Sequence, residues 1–101
     1  MKLKDLEKAK GSWFVYDDDE QKFSAIKIQN AVIRKGSLDK YINIHGLYLC
    51  IREDYFGSDV NDYVFYDYGY HLMKGYILSQ KEFEKLYKEK LSDRILKVLS
   101  K

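Results

Sequence analysis

Apolar and polar positions along the chain change their period twice, and the changes divide it into elements. Leu3 and Leu6, with Ala9, fall on one face of a short helix, and Gly11 sits where a C′ glycine would stop it. A helix this short is marginal alone and has to dock. Trp13 to Tyr16 is aromatic and β-branched and reads as a strand. Asp17-Asp18-Asp19-Glu20 then reads as a solvated turn. From Phe23 to Arg34 the period is two, with Ile26 and Ile28 alternating with Lys27 and Gln29, the signature of a strand. Gln29-Asn30 interrupts that alternation as a bulge or a tight turn, and Lys35-Gly36-Ser37 is a turn signal.

Residues 37–46 admit two readings. Ser37 caps a short helix carrying Leu38, Tyr41, Ile42 and His45 on one face and ended by Gly46, or Tyr41 to Ile44 runs as a strand into Leu47–Ile51. Leu47–Ile51 itself reads as a strand. The polar, Gly-containing stretch Glu53–Asn61 predicts a loop. Tyr63–Tyr68 predicts a strand, Gly69 a turn or bulge, and Tyr70–Leu78 a further strand with Gly75 as a bulge.

The last element carries the sharpest signal. Ser79-Gln80-Lys81-Glu82 fits a capping box, with Leu78 and Phe83 at the positions of a hydrophobic staple. Phe83, Leu86, Tyr87 and Leu91 form one stripe at helical spacing, which Ile95, Val98 and Leu99 continue. Ser92-Asp93 marks a kink or a second start. Leu96 lies off the stripe, and the added apolar width beyond Ser92 offers a seat for a second copy of the chain. The order of elements predicts a single α+β domain over residues 1–101. It is a small antiparallel β-meander or open barrel, with a short N-terminal helix and a long C-terminal amphipathic helix.

Composition narrows the class. With 101 residues and 46% apolar content, there is enough for one core and not two. No apolar run reaches the roughly 18 residues of a membrane helix, and no apolar h-region follows the N-terminus. The single cysteine, Cys50, cannot form an internal disulfide, so the expected compartment is the cytoplasm. Lysine-, tyrosine-, isoleucine- and aspartate-rich usage matches AT-rich codons, as in a low-GC bacterium or its phages. The net charge of +2 conceals segregation: residues 21–52 carry +5 and residues 53–69 carry −5. Charge alone therefore does not demand nucleic acid as a partner.

Candidate chemistry is sparse. Cys50 with His45 or His71 is the one thiol–imidazole pairing available, and Cys50 lies in an apolar run that suits a buried core residue. Two histidines and one cysteine, widely spaced, match no metal pattern. The acidic segments from Asp17 and Asp59 lack the glycine and glutamate of a calcium loop. No phosphate-binding glycine loop or nucleophile elbow is present. The expectation is a non-catalytic protein without metal or cofactor.

Tyrosine is the unusual feature. Tyr55, Tyr63, Tyr66, Tyr68, Tyr70 and Tyr76 crowd one region, interleaved with Asp54, Asp59, Asp62 and Asp67. Alternation puts Val64, Tyr66 and Tyr68 on one face and Tyr63, Phe65 and Asp67 on the other. Both faces are aromatic, so one packs on a core and the other needs a helix or a partner. Tyr63, Tyr66, Tyr68 and Tyr70, with Asp62 and Asp67, are the candidate partner-binding residues. Carboxylates beside the rings favour a protein partner, as for a phage or mobile-element regulator or inhibitor of a host protein. The alternative is a nucleic-acid-binding small β domain, in which Tyr66 and Tyr68 stack bases beside the central lysines.

Overall fold

A computed structural model describes residues 2–18, 22–37, 39–52, 55–67 and 75–99, with positions 18, 67 and 94–99 described by backbone alone. The elements are α1 (Leu3–Glu7), β1 (Trp13–Asp18), β2 (Lys22–Lys35), β3 (Lys40–Arg52), β4 (Tyr55–Asp67), β5 (Tyr76–Leu78) and α2 (Gln80–Leu99). The strands form one antiparallel sheet in the order β4-β3-β2-β1-β5. Four consecutive strands thus form the expected meander, and β5 returns to pair beside β1 instead of extending the far edge. The architecture is α+β, and no described helix is long and apolar enough to cross a membrane.

The sheet is strongly curled. Phe65 on the edge strand β4 lies 5.4 Å from Phe14 and 5.0 Å from Tyr16, both on β1, ring centre to ring centre. β1 lies three strands away, about 14 Å across a flat sheet at ~4.8 Å per strand, so the sheet must fold over on itself for these rings to touch. Three local devices permit the bend. The pairing of β1 with β2 slips between Val15 and Asp17, and that of β2 with β3 slips between Ile28 and Asn30. Extra residues of this kind raise the local twist. The Gln29-Asn30 interruption seen in the sequence is therefore a bulge. The third device is Gly46, which is buried opposite Ile28; a Cβ there would collide with the Lys27 carbonyl.

Curling gives the sheet an inner and an outer face, each with its own core. The inner core gathers Phe14, Ile26, Ile28, Ile42 and Ile44 around Leu3 and Leu6 of α1. The segment 7–12 also runs along the flank of β2 beyond the reach of β1. There the Gly11 N–H donates to the Ile28 carbonyl, the Ile28 N–H donates to Ser12, and the Ile33 N–H reaches the Glu7 carboxylate. Gly11 has φ +89°, so its role is this turn and not a helix stop; α1 ends four residues earlier, at Glu7.

The outer core gathers Trp13, Val15, Phe23, Ala25 and Ile51 against Phe83, with Leu86, Tyr87 and Leu91 packed alongside. α2 begins where the capping box placed it. The Glu82 N–H donates to Ser79 Oγ at 3.3 Å, and the Ser79 N–H donates to Glu82 Oε1 at 3.0 Å. These Ser79 contacts hold the Glu82 carboxyl below its ordinary range. The Trp13 and Phe83 rings stack 3.7 Å apart, and the indole N–H donates to Gln80 Oε1 at 2.7 Å.

One open sequence reading is settled and another is revised. Residues 40–46 form the first half of a long strand and not a helix, because Ile42 and Ile44 are needed at period two inside the curl. The stretch expected to be a loop up to Asn61 is strand from Tyr55 onward. Its polar side chains face solvent on an edge strand, where backbone pairing to β3 needs no apolar alternation. Of the strand expected over 70–78, β5 supplies 76–78, and residues 70–74 lie outside the described residues.

Gly46→Ala is expected to destabilise the protein by about 1–3 kcal/mol, because the new methyl meets backbone and not a movable side chain. Urea unfolding of the variant checks this; an unchanged midpoint would remove Gly46 from the account of the curl.

Candidate functional site: the outer face of the last long strands

Strand β4 pairs with β3 along its whole length without a register shift, so its side chains alternate cleanly between the two faces. Odd-numbered residues point inward. Tyr63 is half-buried there and lies 5.2 Å from Tyr48, while Phe65 closes over Phe14. Even-numbered residues point outward. Phe56 is 51% exposed, Val60 54%, Val64 46% and Tyr66 48%, which makes a row of large apolar groups open to water along one strand. Scattered exposed apolar residues are ordinary, whereas these four share one face of one strand.

Neighbouring strands widen the row. Tyr66 pairs across with Tyr41, the rings 5.6 Å apart, and Tyr41 pairs with Arg34. One register step along, Val64 faces Asn43, which faces Val32 at 38% exposure. Asn43 Oδ1 is buried and has no hydrogen-bond partner among the described residues. Asp62 is exposed and binds His45 Nδ1 at 2.8 Å.

The six residues singled out in the sequence therefore do not form one cluster. Tyr66 and Asp62 share the outer face, and Tyr63 faces the inner one. Asp67 ends β4 opposite Lys40, with its side chain outside the description. Tyr68 and Tyr70 lie outside the described residues. Sequence reasoning missed Phe56, Val60, Tyr41 and Asn43. The first two were hidden in the stretch read as a loop, and the others in the stretch left between helix and strand.

The inner face holds a different assembly. Tyr16, Tyr48 and Tyr63 share it with Ser24 and Cys50, and Ser24 Oγ lies 3.5 Å from the Tyr48 hydroxyl. All three phenols are pushed above their ordinary pKa, first by burial. In addition Tyr16 feels Tyr48 and Tyr63, the neighbouring Cys50 side chain raises Tyr48 further, and Tyr63 feels Asp59. Cys50 is 2% exposed and sits on the inner face, whereas His45 projects from the outer face of the same strand. Opposite faces of the sheet keep Cys50 and His45 apart, and His71 lies outside the described residues. No group of three metal-ligating side chains occurs among the described residues. Comparison with known proteins finds no matching family model, no matching curated protein and no matching solved structure.

Two predictions separate the faces. Tyr63→Ala is expected to lose about 2 kcal/mol or more of stability, since it opens the inner face. Tyr66→Ala should stay within about 1 kcal/mol of the parent, as surface changes do; thermal melts compare them, and equal losses would contradict the division.

Stability should also fall at alkaline pH. A phenol whose folded pKa lies above its unfolded value of 10.0 keeps its proton longer in the folded state. Below that pH the fold therefore keeps the full contribution, and it is lost progressively as pH rises toward the folded pKa. Phenolate absorbance followed together with circular dichroism should show late tyrosines that titrate only as the fold is lost. Simple titration of every tyrosine near pH 10.0 with the fold intact would refute the burial of this cluster.

Proposed function

We propose that this chain is a non-catalytic protein-binding module that docks a partner protein on the outer face of β3 and β4. The observation that carries this reading is the exposed row Phe56, Val60, Val64 and Tyr66 on a face otherwise closed by α2. Such a row supplies apolar contact area, and Tyr66 adds a polar tip, as interface tyrosines do. Asp62 adds an acceptor within the patch, so the matching surface on the partner is apolar with a few donors or basic groups. A regulator or inhibitor that occupies a surface of a host protein is a role suited to such a module.

A second reading rests on a separate observation. Arg34, Tyr41 and Tyr66 form one cross-strand row, and Lys35 and Lys40 pair at the same end of the sheet. Rings beside cations are the arrangement used to stack and neutralise single-stranded nucleic acid. This is the nucleic-acid alternative, with Tyr41 as an additional stacking ring.

The deciding experiment compares the parent with Val64→Lys in capture from a low-GC bacterial lysate, with and without nuclease and across a salt series. Under the protein-binding reading, one protein is retained after nuclease, tolerates salt, and is lost from the variant at an unchanged melting temperature. Capture that ignores Val64→Lys would overturn the assignment of the face. Capture that falls steeply with salt and vanishes with nuclease would transfer it to the nucleic-acid reading.

A further inference from the structure

The apolar row on β4 carries a charge within it. Asp62 stands between Val60 and Val64 on the outer side of the strand, and both valines are exposed. Its Oδ1 lies 2.8 Å from Nδ1 of His45, its register partner on β3. The imidazole and the carboxylate are 47% and 61% exposed, so water solvates both in the free protein and their attraction contributes little there. The surroundings of the imidazole are otherwise neutral at close range. From β2 it faces Asn30, its register partner, with Lys27 further along that strand opposite Leu47. Its own strand sets Asn43 and Leu47 on the same face.

An apolar surface laid over this row removes the water and changes the balance. Beside a neutral imidazole, the Asp62 carboxylate becomes a lone charge out of water, which is costly. Beside an imidazolium it becomes half of a neutral, hydrogen-bonded pair. Both groups lose hydration in that state too, but each keeps a counter-charge in contact. Covering the row therefore favours the protonated ring.

We propose that docking on this face takes up one proton at His45, so that the His45–Asp62 pair is a pH-sensitive switch that tightens the binding of an uncharged apolar surface as pH falls. The proposal rests on the docking reading above and adds regulation to the same site. A neutral ring donates to Asp62 from Nδ1, so the incoming proton goes to Nε2, on the edge of the ring away from the carboxylate. Linkage sets the sign: the docked state binds more protons than the free one, so affinity rises as pH falls. One proton allows at most about a tenfold change per pH unit. Imidazoles ordinarily titrate near about 6.5, so about pH 8 and about pH 6 bracket the change.

The probe is a neutral phenyl matrix, an apolar surface that brings no charge of its own. Retention of the parent, His45→Gln, Asp62→Asn and Val64→Lys is compared at the two pH values and one salt concentration. The parent is expected to be held about twofold or more strongly at the lower pH. His45→Gln has no proton to take up and should show no such shift. Asp62→Asn should reverse it, because protonating His45 then only adds a charge to the face. His71, outside the described residues, is common to all four proteins and cancels in the comparison. Thermal melts establish that these exposed substitutions leave the fold intact. Parent retention that ignores pH would overturn the switch, and so would an unaltered shift in His45→Gln or Asp62→Asn. Val64→Lys separates this outcome from failure of the docking reading. Weaker retention of Val64→Lys with no pH shift in the parent overturns the switch alone, whereas retention that Val64→Lys leaves unchanged overturns the docking face and the switch with it.

Discussion

Everything in this fold follows from the need to bury two apolar faces of one small sheet. β2, β3 and β4 are 14, 13 and 13 residues long, and β2 and β3 carry apolar side chains on both sides. A flat sheet of that length would leave one side wet in a chain of 101 residues. Curling solves half of the problem by turning the inner face on itself, so that the rings of β4 reach those of β1 and only the short α1 is needed as a plug. The bulges and the bare Cα of Gly46 relieve the crowding that the bend creates.

The outer face needs a separate cover, and α2 provides it only in part. The helix is fixed at its start by the Ser79–Glu82 exchange and by Trp13, which stacks on Phe83 and hydrogen-bonds Gln80. From that anchor it lies across Val15, Phe23, Ala25 and Ile51. The row on β4 remains exposed, on the strand at the opposite edge of the sheet from β5, where the helix starts.

How much of this was legible depends on the range of the interaction responsible. The helix start was legible at Ser79 because a capping box acts within four residues. Strand β2 was legible because Ile26 and Ile28 alternate within the strand itself. Residues 40–46 and 55–61 were not, since neither has a local reason to be extended. The first is held by Ile42 and Ile44 reaching an inner core made of distant strands, and the second by backbone bonds to β3 that leave no trace in side-chain pattern. Alternation did separate Tyr63 from Tyr66, but which of the two faced water depended on the direction of the curl, a property of all the strands together. The return of β5 to β1 had no signal at all, as no short-range preference records a partner so far along the chain.

That return has a consequence for the birth of the protein on the ribosome. Trp13 and Gln80 are 67 positions apart, so the first strand emerges long before its lid exists. During that time β1 to β4 have all of the inner core but Ile77, while Trp13, Val15, Phe23, Ala25 and Ile51 wait for the helix that covers them. Translation proceeds at about 5–20 residues per second, so the gap between completing β4 and delivering Leu91 lasts on the order of seconds. In that window the nascent chain presents a half-finished sheet with a sticky exterior, a natural client for chaperones that shield hydrophobic strands as they leave the tunnel.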